Sequence, residues 1–114
     1  MEAVKLIAAA QGLPVLAHPA EISGLSELLE KLRDAGLIGL EVFYNRYPSD
    51  KIRGLLAVAK EHRLVPTGGS DFHGLDGESI KELPEIALPW DSVERLFTLA
   101  GKVFDLERFK SWVR

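Results

Sequence analysis

Residues 37–44 read Leu37-Ile38-Gly39-Leu40-Glu41-Val42-Phe43-Tyr44, an apolar run too short for a helix of ordinary length. It predicts a strand. Side-chain alternation then sets Leu40 and Val42 on one face and Gly39, Glu41 and Phe43 on the other, so a carboxylate shares its face with a glycine that leaves room beside it. Working outward, similar short runs occur at Pro14–Ala17 and Leu64–Thr67, with a weaker fourth at Glu85–Leu88. Between and around them lie five segments with apolar residues at helical spacing. They are Val4, Ile7 and Ala8; Leu25, Leu28, Leu29 and Leu32; Ile52, Leu55, Leu56 and Ala59; Val93, Leu96, Phe97 and Ala100; and Leu106, Phe109 and Val113. The punctuation agrees: Gly12-Leu13-Pro14 stops the first helix, Gly36 follows the second, and Ser49, Asp91 and Asp105 stand where N-caps belong. Gly74–Pro89 reads as a loop. Helices alternating with strands predict right-handed βαβ units, hence an α/β fold with parallel strands covered by helices.

Composition narrows the function classes. The 114 residues carry 14 Lys plus Arg against 17 Asp plus Glu, for a net charge of −3, and 46% are hydrophobic. That is one domain, residues 1–114, with enough apolar content for a packed core. Neither half is a block of one sign, which argues against a duplex nucleic-acid surface. No apolar run reaches the length of a membrane span, the N-terminus lacks a signal-peptide layout, and there is no cysteine, so the cytoplasm is the expected compartment. Any metal must sit on His, Asp and Glu.

In parallel α/β folds ligands gather at the carboxyl ends of strands. His18 follows the first strand, and Pro19 is expected to hold it extended so that the imidazole projects from the strand end. It is either a metal ligand or a histidine that packs with one hydrogen bond. Glu41 is open to three roles: ligand, outer-shell carboxylate or ion-pair partner. After the third strand comes Thr67-Gly68-Gly69-Ser70-Asp71-Phe72-His73-Gly74. In an extended chain Asp71 and His73 face the same way and can reach one cation, with Phe72 turned into packing; a solvated turn is the alternative. Gly68 and Gly69 suit a close backbone approach. Arg46 could receive a phosphate or carboxylate, and His62 is read as a surface residue in the last turn of a helix.

Taken together in this order, Ala17-His18-Pro19, Gly39–Tyr44 and Gly68–Gly74 resemble the C-terminal half of the PHP (polymerase and histidinol phosphatase) family. The branch they are most similar to is that of metal-dependent phosphoesterases related to nucleoside-bisphosphate phosphatases and RNA 5′-end trimming enzymes. The resemblance implies a partial (βα) barrel of the PHP type and hydrolysis of phosphate esters, with a phosphorylated small molecule or nucleotide as substrate. It puts metal ligands at His18, Asp71 and His73, and Glu41 in the outer shell. A divalent metal, Mn²⁺, Zn²⁺ or Fe²⁺, is implied. The His-x-His motif and further ligands with which the family opens are not in this sequence. The chain is therefore expected to be either the C-terminal portion of a longer enzyme or a stand-alone half that keeps a residual site, inactive or nearly so alone, and to associate with itself through open strand edges. A non-catalytic truncated barrel and a metal-dependent amidohydrolase are the alternatives.

Overall fold

The computed structural model describes residues 1–74 and 85–101. Its elements alternate as α1 (Glu2–Ala9), β1 (Val15–Leu16), a single 3₁₀ turn (Pro19–Glu21), α2 (Leu25–Asp34), β2 (Gly39–Tyr44), α3 (Ser49–Glu61), β3 (Val65–Gly69) and α4 (Trp90–Leu99). The three strands form one parallel sheet in the order β1-β2-β3. All three therefore end at the same edge, and β2 is central. The fold is α/β, as the alternation predicts. Glu85–Leu88 forms no strand. The expected helix around Leu106, Phe109 and Val113, its cap Asp105, and residues 75–84 of the expected loop lie outside the described residues.

Leu40 and Val42 are fully buried, and they join Leu29 and Leu32 of α2, Leu55 and Ala59 of α3, and Leu64 in one apolar cluster. The leucine spacings of α2 and α3 put those residues on one helix face, so burying them docks both helices on the sheet. Helix α1 contributes only Val4 to this cluster, while Leu6 and Ile7 are exposed. Neither Ser49 nor Asp91 caps a helix. Pro48 and Pro89 take the N-cap positions in extended conformation, and α3 and α4 begin one residue later.

Two features of the sheet position the site. Strand β1 is only two residues long, paired through Val15 with Gly39 and Leu16 with Leu40. Between β2 and β3 the register runs Glu41 with Thr67, then Phe43 with Gly68 and Tyr44 with Gly69. Val42 is thus the extra residue of a bulge, and the one-residue slip brings Tyr44 rather than Phe43 opposite the last residue of β3.

Among the described residues no helix is long and apolar enough to cross a membrane.

Candidate metal centre

The ends of β1, β2 and β3 bring His18, Tyr44 and the Asp71-Phe72-His73 segment to one edge of the sheet. His18 does not stand extended there. Its backbone is left-handed (φ 30°, ψ 63°), and it caps the turn Pro19–Glu21. Pre-proline sterics favour extended backbone. Two tertiary hydrogen bonds hold the turn: the His18 N–H donates to Glu41 Oε2 at 2.6 Å, and the Ala20 N–H donates to the Tyr47 hydroxyl at 3.0 Å. Glu41 therefore grips the backbone of His18 and leaves the imidazole exposed.

The space Glu41 occupies comes from Gly69. A Cβ at Gly69 would collide with Glu41 Oε1, whereas a Cβ at Gly39 would meet Val15, Thr67 and the Val65 carbonyl. Gly68 is equally restricted, its Cβ position lying 2.9 Å from the Phe43 carbonyl oxygen and 3.0 Å from Ile86. The close approach expected of Gly68 and Gly69 is present, and the glycine that makes room for the acid is on the neighbouring strand.

Asp71 also departs from the extended picture. Strand β3 ends at Gly69, and Asp71 is left-handed at φ 56°. Phe72 is 43% exposed and does not turn into packing. His73 approaches Asp71 by another route: its Nδ1 lies 2.6 Å from the Asp71 carbonyl oxygen. A carbonyl only accepts, so Nδ1 carries the proton, and in the neutral ring Nε2 keeps its lone pair. That Nε2 lies 3.8 Å from Asp71 Oδ1, a span that two metal–ligand bonds of about 2.0–2.2 Å can bridge. The other carboxylate oxygen, Oδ2, accepts the Tyr44 hydroxyl at 2.9 Å.

Tyr44, at the end of β2, lies between the two outer strand ends. Its ring meets the His18 imidazole edge-on at 6.4 Å and packs against Tyr47 at 4.7 Å. The bond to Asp71 and then burial hold the Tyr44 phenol above its ordinary pKa, while the Arg46 guanidinium pulls the other way. Arg46 itself is exposed in the turn after β2. Burial pushes the Tyr47 phenol up, and the Ala20 N–H that it accepts partly offsets this.

The donors are imidazole nitrogen and carboxylate oxygen, which suit a divalent cation of the Mn²⁺, Zn²⁺ or Fe²⁺ type. In number they fall short: among the described residues no three His, Asp or Glu side chains form one group able to hold an ion. Asp71 and His73 make a two-donor unit, with His18 and Glu41 beside it at the same edge. Sequence reasoning missed Tyr44 and Tyr47. Their spacing, the last strand residue and three beyond it, carries no motif, and only their hydroxyl partners reveal them. His62 is buried, 6% exposed, and its Nε2 shares a hydrogen bond of 2.8 Å with Ser26 Oγ, so it is an interhelical link and not a surface histidine.

The chain is 38% identical over 76 residues to a phosphoribosyl 1,2-cyclic phosphate 1,2-diphosphodiesterase of Eggerthella lenta, covering 67% of this chain and 29% of that protein. It is 33% identical over 103 residues to a 3′,5′-nucleoside bisphosphate phosphatase of Chromobacterium violaceum, covering 82% of this chain and 36% of that protein. The chain is a homologue of phosphoesterases. Membership of the PHP family is consistent with both relatives. A crystal structure of a Bifidobacterium adolescentis protein assigned as a metal-dependent phosphoesterase superposes with a TM-score of 0.67 at 31% identity, over 93% of this chain and 37% of that one. The chain thus spans about a third of the length of the proteins it matches. No protein-family model matches it.

Proposed function

We propose that this chain is part of a PHP-type partial barrel in which His18, Asp71 and His73 hold a divalent metal and phosphate esters are hydrolysed at the carboxyl edge of the sheet. The observation that carries the reading is the His73 ring, fixed by its Nδ1–H on the Asp71 carbonyl so that Nε2 is available 3.8 Å from Asp71 Oδ1. Outer hydrogen bonds that set tautomer and ring orientation are characteristic of metal-binding histidines. The two phosphoesterase relatives and the similarity to a protein assigned as metal-dependent support the reaction class.

When bound, the cation would acidify a water molecule and neutralise charge on the phosphate. The net reaction forms one bond from a water oxygen to phosphorus, breaks the P–O bond to the ester alcohol, and releases that alcohol with a proton. In this chain Asp71 and His73 supply the donor pair, and His18 a donor from the other side of Tyr44. Glu41 holds the His18 turn, and Arg46 is placed to donate to non-bridging phosphate oxygens. The substrate is a phosphorylated small molecule or nucleotide, in keeping with what the relatives are named for. Ligands beyond the span matched here would complete the site, so the 114-residue chain by itself binds metal weakly and turns over poorly.

Titrating Mn²⁺ into the purified chain and following the free-ion electron paramagnetic resonance signal tests this. The expected result is weak binding that His73→Ala and Asp71→Asn each remove. Equal affinity in wild type and both variants would overturn the assignment, and strong metal-dependent hydrolysis of phosphate monoesters by the chain alone would overturn the view that the site is incomplete.

A further inference from the structure

We propose that Tyr44 is a positioning residue for the metal centre, fixing the Asp71 carboxylate through its hydroxyl and, through Tyr47, bracing the turn that carries His18. The inference rests on the reading of Asp71 and His18 as ligands, and it assigns the geometry between them to two tyrosines on the central strand and the turn after it.

The need for such a brace follows from where the sheet stops. Backbone pairing between β2 and β3 reaches the Gly69 carbonyl, which accepts the Asn45 N–H at 3.3 Å. Asp71 lies two residues beyond, in a left-handed conformation that non-glycine residues seldom adopt. Its side chain is about one-third exposed, so packing does not fix the carboxylate. The Tyr44 hydroxyl does, donating to Oδ2 at 2.9 Å and leaving Oδ1 as the oxygen facing His73 Nε2. An ionised carboxylate only accepts, so the direction of that bond is set.

Tyr44 is itself held on several sides. It is only 9% exposed, and the bulge at Val42 sets it opposite Gly69, where its ring meets the Tyr47 ring at 4.7 Å. The His18 imidazole stands edge-on to the same ring at 6.4 Å. Tyr47 completes the brace by accepting the Ala20 N–H, in the turn that begins at His18. The ligand-bearing ends of β1 and β3, 53 residues apart from His18 to Asp71, are thereby tied to one aromatic pair at the end of β2.

Tyr44→Phe removes the hydroxyl and keeps the ring, so it separates positioning from packing. In the full 114-residue chain without metal, scalar couplings to the Asp71 side chain should report a single rotamer in wild type and an average over rotamers in Tyr44→Phe. The Mn²⁺ affinity should fall about tenfold, as expected for loss of an outer-shell partner, while the chain stays folded, its thermal unfolding midpoint at pH 7 lowered only by the several degrees that loss of one hydrogen bond to a carboxylate costs. Tyr47→Phe should leave the Asp71 couplings as they are and shift the amide resonance of Ala20. Unchanged Asp71 couplings in Tyr44→Phe would overturn the proposal, as would a loss of Mn²⁺ affinity matched by a general loss of fold. If wild type binds no Mn²⁺, the metal reading fails, and the Asp71 couplings still decide whether Tyr44 sets that side chain.

Discussion

Gly69→Ala is the substitution whose consequence can be worked most directly from the geometry. Gly69 has ordinary strand backbone, not a left-handed one, so alanine is conformationally allowed there. The new Cβ nevertheless collides with Glu41 Oε1. That atom ends a flexible side chain, and the collision would be cheap to relieve if the carboxylate were free to swing away. It is not free, because Oε2 accepts the His18 N–H at 2.6 Å. Relieving the clash therefore breaks a charge-assisted hydrogen bond, of the kind worth about 1.5–3 kcal/mol. Water reaches this site, so the lower end applies: about 1.5 kcal/mol, or roughly 5–8 °C in unfolding midpoint for a domain of this size. The assay is urea or thermal unfolding of wild type, Gly69→Ala, Glu41→Ala and the double variant. If the cost runs through the carboxylate, Gly69→Ala should be nearly neutral once Glu41 is alanine, giving a coupling of about 1 kcal/mol or more. Strictly additive effects would refute the reasoning and return the cost to the alanine itself.

Three further outcomes are expected. Leu40→Ala, at a fully buried position on the central strand, should destabilise the chain by roughly 2–5 kcal/mol in urea unfolding with little change of m-value. Gly54→Ala, in an exposed stretch of α3 where an added Cβ meets nothing within 4 Å, should raise stability by about 0.5–1 kcal/mol, read as a higher denaturation midpoint. Tyr44, whose phenol is held above 10.0 in the folded chain, binds its proton more tightly folded than unfolded. Its contribution is complete below pH 10 and declines as pH rises through the folded-state value, so wild type should lose more stability than Tyr44→Phe when unfolding is compared between pH 8 and pH 11.

The alternation of helix and strand was legible because it rests on local periodicity, which the core obeys: Leu29, Leu32, Leu55, Ala59, Leu40 and Val42 are all buried. The placement of candidate residues at strand ends was legible for the same reason, since parallel strands put their carboxyl ends on one edge. Reading failed where long-range bonds overrule a local rule. Proline sterics predicted an extended His18, but a carboxylate 23 residues away takes its N–H and holds the backbone left-handed. A period of two predicted that Asp71 and His73 share a face, but the strand stops at Gly69, and the two meet by a ring-to-carbonyl bond instead. His62 looked like a surface residue at a helix end because nothing in its neighbourhood of sequence announces Ser26, 36 residues earlier.

These departures share one cause, which bears on where substitutions should matter. His18, Asp71 and His73 lie beyond the ends of the outer strands, since β1 contributes only two paired residues and stops at Leu16, and β3 stops at Gly69. Backbone pairing alone leaves both segments that bear the candidate ligands loosely placed. What places them comes from β2 and the turn behind it: Glu41 on the His18 N–H, Tyr44 on the Asp71 carboxylate, and Tyr47 on the Ala20 N–H. The bulge at Val42 adjusts the register by the one residue that sets Tyr44 opposite Gly69. A change in β2 that touches none of the candidate ligands can therefore alter their spacing on both sides of it, and the separation of His18 from Asp71 is set by the central strand more than by the strands that lead to them.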